Sequence, residues 1–181
     1  MTLFSWLYRE LQITGVTFNV FAEPNIDYLA TQAELPFVVA HELAHTKGVM
    51  REDEANVLAF YICLNSDSPY LRFSAYSIYY SLISVVTGSY YMNEEDRANI
   101  VKVNAQFGKT RNYMYDYWQE HDLLGKIGDF INDLYIKNSG ISEGTSSYHG
   151  GTTIVVDPET HELIPNVYQK LYFEKYYRNN A

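Results

Sequence analysis

Apolar residues recur along most of this chain at the spacing of one helix face. Between residues 69 and 87, for example, Leu71, Ala75, Ile78 and Leu82 are three or four positions apart. Residues at that spacing fall near one side of a helix. The pattern therefore predicts a domain built mainly from helices.

Prolines, glycines and acidic residues indicate where the helices begin and end. We predict helices over residues 36–46, 51–64, 69–87 and 166–177. Asn93 marks a further helix start, and the helical pattern resumes over residues 110–136 with interruptions at Gly108, Gly125 and Gly128. Two more helices are therefore expected between residues 93 and 136.

Two short segments have strand character instead. Residues 13–21 (ITGVTFNVF) are β-branched and aromatic and lead into a turn at residues 23–25. Residues 152–156 are similar and precede a turn at residues 157–160. The glycine- and serine-rich residues 138–151 are typical of a loop. We expect a mainly α (α+β) fold with a small β element.

Length and charge narrow the classes of function. A chain of 181 residues fits one domain. Its 13 Lys and Arg against 22 Asp and Glu give a net charge of -9, so nucleic acid is not expected as a partner. The single cysteine, Cys63, excludes an intrachain disulfide framework and a zinc site made mainly of thiolates.

Residues 73–93 carry no charged side chain over about the length that crosses a bilayer. They are rich in serine and tyrosine, whereas membrane-spanning helices are dominated by Leu, Ile, Val and Phe. We therefore interpret this segment as a packed helix. Residues 1–11 lack the basic start and long apolar run of a signal peptide, and none is expected.

An H-E-x-x-H motif occupies residues 41–45, inside the predicted helix 36–46. Helical residues four apart share a face, so the imidazoles of His41 and His45 can bind one metal ion. Glu42 is placed to polarise a water molecule rather than to bind the metal. The motif predicts a Zn²⁺ site with Glu42 as general base.

A catalytic zinc ion needs a third protein ligand and an open position. Gly48 permits a reversal of the chain that brings Glu52, Asp53 and Glu54 within reach. We choose Glu52 as the ligand, with Glu54 as the alternative. Asn56 lies on the same face as Glu52, where its amide can hydrogen-bond a liganding histidine. The alternative explanation of these acids is a solvated helix start that the helix dipole favours.

Two other histidines are interpreted without a metal role. His161 is followed by a glutamate, but Pro165 stands where the second ligand of the motif belongs. His121 lies in a polar helical stretch and is expected to be solvated.

These motifs resemble those of the zincin metallopeptidases, and among them the Glu-zincins, in which a glutamate on a following helix completes the site. That helix commonly reads E-x-x-x-D, and residues 52–56 match it with Asn56 in place of the aspartate. The subgroup with H-E-x-x-H-x-x-G-x-x-H is rejected because Arg51 stands where its third histidine belongs. The resemblance implies a zincin-like helical domain with the motif on its active-site helix.

A longer stretch resembles one bacterial family known as domain of unknown function number 3810. The similarity runs through residues 35–74 and returns at Gly140-Ile141 and Ser147-Tyr148. Members of that family have membrane-spanning segments ahead of the H-E-x-x-H domain. The resemblance thus implies a longer parent protein associated with a membrane, of which this chain is a soluble domain.

We interpret residues 1–181 as a single domain. Its parts are a strand-containing N-terminal segment (1–35), a metal-binding helix pair (36–64), a helical bundle (69–137), and a loop with a short β segment and a closing helix (138–181). In zincins a substrate strand pairs with an edge strand near the catalytic helix, and residues 15–21 are the candidate. Tyr148 or His149 in the loop is a candidate donor to the developing oxyanion.

The leading hypothesis is a zinc-dependent peptidase that acts on a peptide or protein substrate, with zinc on His41, His45 and Glu52. Glu42 takes the proton of the attacking water and passes it to the leaving amine. One competitor is a sensor or binding domain of a membrane-associated bacterial protein, with the zincin core but little turnover. Another is a structural helical domain in which the motif is accidental. The sequence indicates neither the substrate nor the oligomeric state.

Overall fold

The computed structural model describes residues 5–18, 23–84, 94–138, 140–149, 152, 155–161 and 163–176. In these ranges the helices are Ser5–Glu10 (α1), Leu35–Thr46 (α2), Glu52–Asn65 (α3), Pro69–Ser84 (α4), Glu94–Glu120 (α5), Gly125–Asn138 (α6) and Val167–Tyr176 (α7). The strands are Gly15–Phe18 (β1), Glu23–Ile26 (β2), Val155–Val156 (β3) and Leu163–Ile164 (β4), and Gly144–His149 forms a 3-10 helix. The mainly α (α+β) fold class is therefore confirmed.

Local signals at both ends fix the helix pair α2 and α3. Pro36 occupies the first turn of α2, where a missing backbone N–H costs no hydrogen bond. Gly48, with a φ of 90°, follows the end of α2 in the left-handed conformation that favours glycine. Glu52 and Asp53 then begin α3, where the positive end of the helix dipole favours acidic side chains. Two helices in contact therefore follow each other across a very short connection.

An aromatic core lies on one side of this pair and joins α2 and α3 to α4 and α7. Phe60 contacts the rings of Tyr79 and Tyr168 edge-on, with centroids 5.4 and 5.3 Å away. Tyr79 and Tyr168 stack at 4.0 Å. These rings are buried, and Phe37 of α2 contacts the same cluster. Burial of large rings supplies much of the free energy that holds the four helices together.

The strands β1 and β2 form an antiparallel hairpin in which Thr17 lies opposite Pro24. The N–H of Asp27 donates to the carbonyl of Thr14 at 2.9 Å, so Thr14 and Asp27 form a hydrogen-bonded pair. Hydrogen-bonded and non-hydrogen-bonded pairs alternate along an antiparallel ladder, so the pairs of Gly15 and Thr17 with β2 are not hydrogen-bonded. Gly15 and Thr17 therefore direct their backbone groups away from β2. This alternation explains why Pro24, which has no N–H, is tolerated opposite Thr17.

Four features of the fold differ from the sequence-based expectation. The N-terminal segment contains the helix α1, and β2 and β4 complete hairpins that were not predicted. The breaks expected at Gly108 and Gly128 were wrong, because α5 and α6 run through these positions without interruption, whereas Gly125 begins α6 as a break there would require. A single glycine costs a helix only about 1 kcal/mol and does not end it. The loop over 138–151 contains a 3-10 helix.

Other predicted elements extend beyond the part of the chain that the structure describes. This applies to residues 19–21 of the first strand, 85–87 at the end of α4, the helix start at Asn93, residues 153–154 of the second strand and residue 177 of the closing helix. Among the helices that are described, none combines the length and the apolar character needed to cross a membrane.

Candidate metal centre

Two histidines of α2 and the first residue of α3 converge on one point. The Nε2 atoms of His41 and His45 are 3.0 Å apart. The Oε2 atom of Glu52 lies 3.1 Å from Nε2 of His41 and 3.4 Å from Nε2 of His45. Two ligands bound to a tetrahedral zinc ion at 2.0–2.1 Å are separated by about 3.3 Å. The three ligand atoms therefore have the spacing that a bound zinc ion requires.

The electrostatics of the cluster also suit a cation. Burial alone would raise the pKa of Glu52, but hydrogen bonds from His41 and His45 and the charges of these rings lower it to about 2. Glu52 is thus ionised at neutral pH. Burial lowers the pKa of His45, but the interactions with Glu52 outweigh this effect, and the pKa is raised overall. A buried carboxylate between two imidazoles offers a preformed negative site.

The two acids that follow Glu52 lie outside this cluster. Asp53 accepts two hydrogen bonds from the guanidinium of Arg51, at 3.0 and 3.1 Å. The side chain of Glu54 is 62% exposed, and one of its oxygens lies 3.8 Å from Nε of Arg51. Of the candidate third ligands, the structure brings Glu52 to the histidines and leaves Glu54 at the surface.

A backbone carbonyl orients one of the histidines. Nδ1 of His45 lies 2.7 Å from the carbonyl oxygen of Val49, so Nδ1 carries the proton and donates it. The proton that a metal ion displaces is therefore the one on Nε2, which His45 shares with Glu52, and its loss leaves the Nε2 lone pair directed at the cluster. The bond depends on the reversal after α2, which returns Val49 to the ring of His45.

Asn56 does not play the part expected from its position. It is buried, but among the described residues the buried Nδ1 of His41 has no hydrogen-bond partner. The expected hydrogen bond between Asn56 and a liganding histidine is therefore absent, because one ring uses a backbone carbonyl and the other is unpaired. The unpaired Nδ1 leaves the orientation of His41 less constrained than that of His45.

Glu42 lies beside the ligands and is 5% exposed. The hydroxyl of Thr17 donates to its Oε2 at 2.7 Å. Burial raises the pKa of Glu42, although the hydrogen bond from Thr17 and the nearby histidines oppose this rise. A buried carboxylate with a raised pKa, close to a metal site, has the properties of a general base.

Tyr148 covers the cluster from the 3-10 helix. Its ring stacks on that of His41 at a centroid distance of 6.4 Å and an angle of 24°. Burial, and after it the negative charge of Glu52, raises the pKa of Tyr148, so its hydroxyl stays protonated at neutral pH. The neighbouring candidate His149 ends the 3-10 helix, but its side chain lies outside the described part of the structure.

These residues enclose a space of about 30 Å³, enough for an ion and a water molecule. Its lining includes Thr17, which lies inside the candidate edge strand 15–21 but was given no individual role. It also includes residues to which sequence reasoning gave no part in the site, among them Met50, Asn132, Tyr135 and Ile141. Nothing in the sequence distinguishes Tyr135 among 18 tyrosines. The partial alternation of residues 13–21 was the available signal for Thr17.

A second cavity of about 270 Å³ adjoins the first and shares Gly15, His41, Glu42 and Tyr148 with it. Its other walls are partly apolar and come from α2, α4 and α5, including Phe37, Val38, Ile78 and Met114. The space next to the cluster is therefore large enough for an amino-acid side chain.

His121 was expected to be solvated, and its surroundings differ from that expectation. Its side chain is 25% exposed, and its Nδ1 lies 3.6 Å from Oε1 of Glu10. Its ring contacts that of Tyr117 at 4.8 Å. The unpredicted helix α1 explains the difference, because it brings Glu10 to the end of α5.

Comparison with known proteins identifies a family. A family model described as "Protein of unknown function (DUF3810)" matches residues 1–156. The chain belongs to this family, and the resemblance inferred from residues 35–74 is confirmed. No curated protein and no solved structure matches the chain.

Proposed function

We propose that this member of the DUF3810 family is a zinc-dependent peptidase with a zincin-like site. The convergence of His41, His45 and Glu52, with ligand atoms within 4.8 Å of one another, carries the proposal. Two imidazoles and one carboxylate are a frequent donor set of catalytic zinc ions, and they leave a position open for water or substrate.

A zinc ion held by these residues would act as a Lewis acid and lower the pKa of a water molecule. Glu42 takes the proton of this water as the oxygen attacks the peptide carbonyl. Glu42 then gives the proton to the leaving amine nitrogen as the C–N bond breaks, so protons and charge balance. Tyr148, which keeps its proton at neutral pH, donates a hydrogen bond to the oxyanion that develops on the carbonyl.

The surroundings of the site offer features that suit a peptide substrate. The backbone groups of Gly15 and Thr17 face away from β2, and both residues line the cavity. An extended peptide can pair with the backbone groups of Gly15 at this edge of β1, since the carbonyl of Thr17 already accepts a hydrogen bond from Tyr135. One of its side chains then enters the cavity of about 270 Å³ beside Glu42. These features support hydrolysis of a peptide or protein.

A catalytically weak sensor or binding domain is the second candidate. Two observations favour it: Nδ1 of His41 has no partner among the described residues, and the space at the ligands is only about 30 Å³. A histidine without a carboxylate or carbonyl partner is a less basic metal ligand. The resemblance noted above further suggests that the parent protein is membrane-associated in either case.

Metal content and peptide cleavage test the two candidates together. The wild-type chain and Glu42→Gln are each expected to retain about one zinc ion after dialysis, since neither lacks a ligand. In an unbiased peptide library, cleavage by Glu42→Gln should be at least about a hundredfold slower, because the base is lost. Glu54→Gln, a change of the same type at an exposed site, should cleave like the wild type.

Each outcome decides one question. Equal zinc content in the wild type and His41→Ala would refute the metal site. Equal cleavage by the wild type and Glu42→Gln would refute the peptidase mechanism. Zinc retention without any cleavage by the wild type would favour the sensor or binding domain.

A further inference from the structure

The carboxylate of Glu42 is held from outside its own helix. The Oγ1 atom of Thr17 lies 2.7 Å from Oε2 of Glu42 and 3.1 Å from the backbone oxygen of the same residue. A hydroxyl group has one proton, and the shorter distance assigns it to the carboxylate. Thr17 is 3% exposed, so little water competes for this bond.

The other oxygen of Glu42 has different surroundings. Oε1 has no hydrogen bond to any residue that the structure describes. A β-carbon at position 15 would lie only 2.7 Å from it, so the absence of a side chain on Gly15 makes room for the carboxylate. One oxygen of Glu42 is thus anchored, and the other remains available to a water molecule.

The strand that supplies this anchor is itself fixed. Thr17 belongs to β1, which pairs with β2 on one side. On the other side, the hydroxyl of Tyr135 in α6 donates to the backbone carbonyl of Thr17. The hydroxyl of Thr17 therefore has a defined position between the hairpin, α2 and α6.

From this geometry we infer that Thr17 is a positioning residue for the general base: its hydroxyl holds Oε2 of Glu42 so that Oε1 receives the proton of the attacking water. The inference rests on the proposed function. A buried carboxylate that loses a hydrogen-bond donor turns towards other partners, and displacements of about 1 Å reduce proton transfer strongly.

Binding of acetohydroxamate to the cobalt-loaded chain provides a test that does not depend on an identified substrate. The hydroxamate binds a metal through two oxygens and places its acidic proton on a neighbouring base. Bound Co²⁺ reports this binding by visible absorption. Thr17→Val removes the hydroxyl and keeps the branched shape, whereas Thr17→Ser keeps the hydroxyl.

Thr17→Val should bind as much Co²⁺ as the wild type and bind acetohydroxamate about tenfold more weakly, the scale of one hydrogen bond to a charged group. Thr17→Ser should remain within about twofold of the wild type. In the Glu42→Gln background, Thr17→Val should have no further effect, because the group that it positions has been removed. Thr17→Ala serves as a second hydroxyl-free variant if Thr17→Val does not fold.

The outcomes separate this inference from the proposed function. Unchanged acetohydroxamate binding in the folded hydroxyl-free variants, or an equal loss in the Glu42→Gln background, overturns the role of Thr17 and leaves the metal site intact. A wild-type chain that does not bind Co²⁺, or binds it but not acetohydroxamate, overturns the proposed open metal site and this inference with it.

Discussion

Neighbouring acidic residues at the start of α3 differ in what they contact. Glu52 is 6% exposed and touches both histidines, whereas the carboxylate of Glu54 extends into solvent beside Arg51. Three consecutive acids have the same helix-dipole preference, so charge alone does not distinguish them. Burial against His41 and His45 is what distinguishes Glu52 from the other two acids.

Glu52→Gln should therefore lose zinc during dialysis, whereas Glu54→Gln should retain about one ion per chain. The first variant removes a carboxylate ligand, and the second removes a solvated charge that contributes little. Elemental analysis of both variants in the same buffer measures the difference. The reverse order of zinc retention would assign the third ligand to Glu54.

Glu34, at the start of α2, has a pKa raised by burial, although hydrogen bonds from Thr31 and Trp118 oppose the rise. The indole nitrogen of Trp118 lies 3.1 and 3.0 Å from its two oxygens. A pKa that is higher in the folded than in the unfolded chain means that folding favours the protonated form. Ionised Glu34 therefore lowers the free energy of unfolding. This loss is absent below the pKa that Glu34 has in the unfolded chain and complete above the pKa that it has in the folded chain.

Glu34→Gln should accordingly raise the free energy of unfolding at pH 7, by about 1 kcal/mol or less. The neutral amide keeps an oxygen for Trp118 and avoids a charge in a partly buried position. Urea denaturation at pH 7 and pH 4 measures the effect, and the advantage over the wild type should shrink at pH 4. If the stability advantage of Glu34→Gln over the wild type grew as the pH fell from 7 to 4, the assigned direction of the pKa shift would be wrong.

At the scale of the elements, the helix pair was the most predictable part of the fold. The structure places α2 and α3 within one residue of the boundaries inferred from Pro36, Gly48 and the acids after Arg51. Those signals lie in neighbouring residues of the chain, and so does the four-residue spacing of the histidines in the H-E-x-x-H motif, so both can be identified without knowledge of tertiary contacts. The family was identified for the same reason, from contiguous residues.

Elements held by distant contacts were not predictable in this way. The end of α1 packs on α6, where the carbonyl of Leu11 approaches Gly128, and β2 depends on pairing with β1. Likewise, the bond from Tyr135 to the carbonyl of Thr17 joins residues far apart in the chain. Short elements with weak intrinsic preferences form because tertiary contacts stabilise them, and a single sequence does not display those contacts.

Two glycines of the long helices should respond oppositely to alanine. A β-carbon on Gly128 would lie 1.9 Å from the carbonyl oxygen of Leu11, so Gly128→Ala should separate α1 from α6 and cost about 1–3 kcal/mol. A β-carbon on Gly108 meets no atom within 4 Å, so Gly108→Ala should stabilise α5 by about 0.5–1 kcal/mol. Thermal unfolding of both variants tests the pair, and a stabilised Gly128→Ala would refute the close approach of α1.

At the scale of the whole molecule, a metal ion would join α2 to α3 at the edge of the aromatic core. A ligand that binds only the folded chain adds about 4 kcal/mol of stability at a free concentration of 1,000 times its Kd. For a chain of this size, 1 kcal/mol corresponds to about 2–4 °C in Tm.

Removal of zinc should thus lower the Tm by about 8–16 °C, relative to a chain measured at a free zinc concentration of about 1,000 times its Kd. A thermal scan after treatment with a chelator, followed by readdition of zinc, measures the shift and its reversal. His41→Ala is the control and should show no zinc-dependent shift. An equal shift in His41→Ala would mean that zinc binds elsewhere.

The order of these residues along the chain has a consequence for biosynthesis. His41, His45 and Glu52 lie within twelve residues, whereas Tyr148, which covers them, follows Glu52 by 96 residues. At about 5–20 residues per second, the ribosome needs roughly 5–20 s to synthesise that interval. A nascent chain therefore presents its complete set of ligands well before the cover exists. The helix pair that carries them is held by the aromatic core, however, and that core includes Tyr168 of α7, which is synthesised after Tyr148. The proposed site is therefore assembled only after nearly the whole chain has left the ribosome, and its metal ion is selected by the folded protein rather than during synthesis.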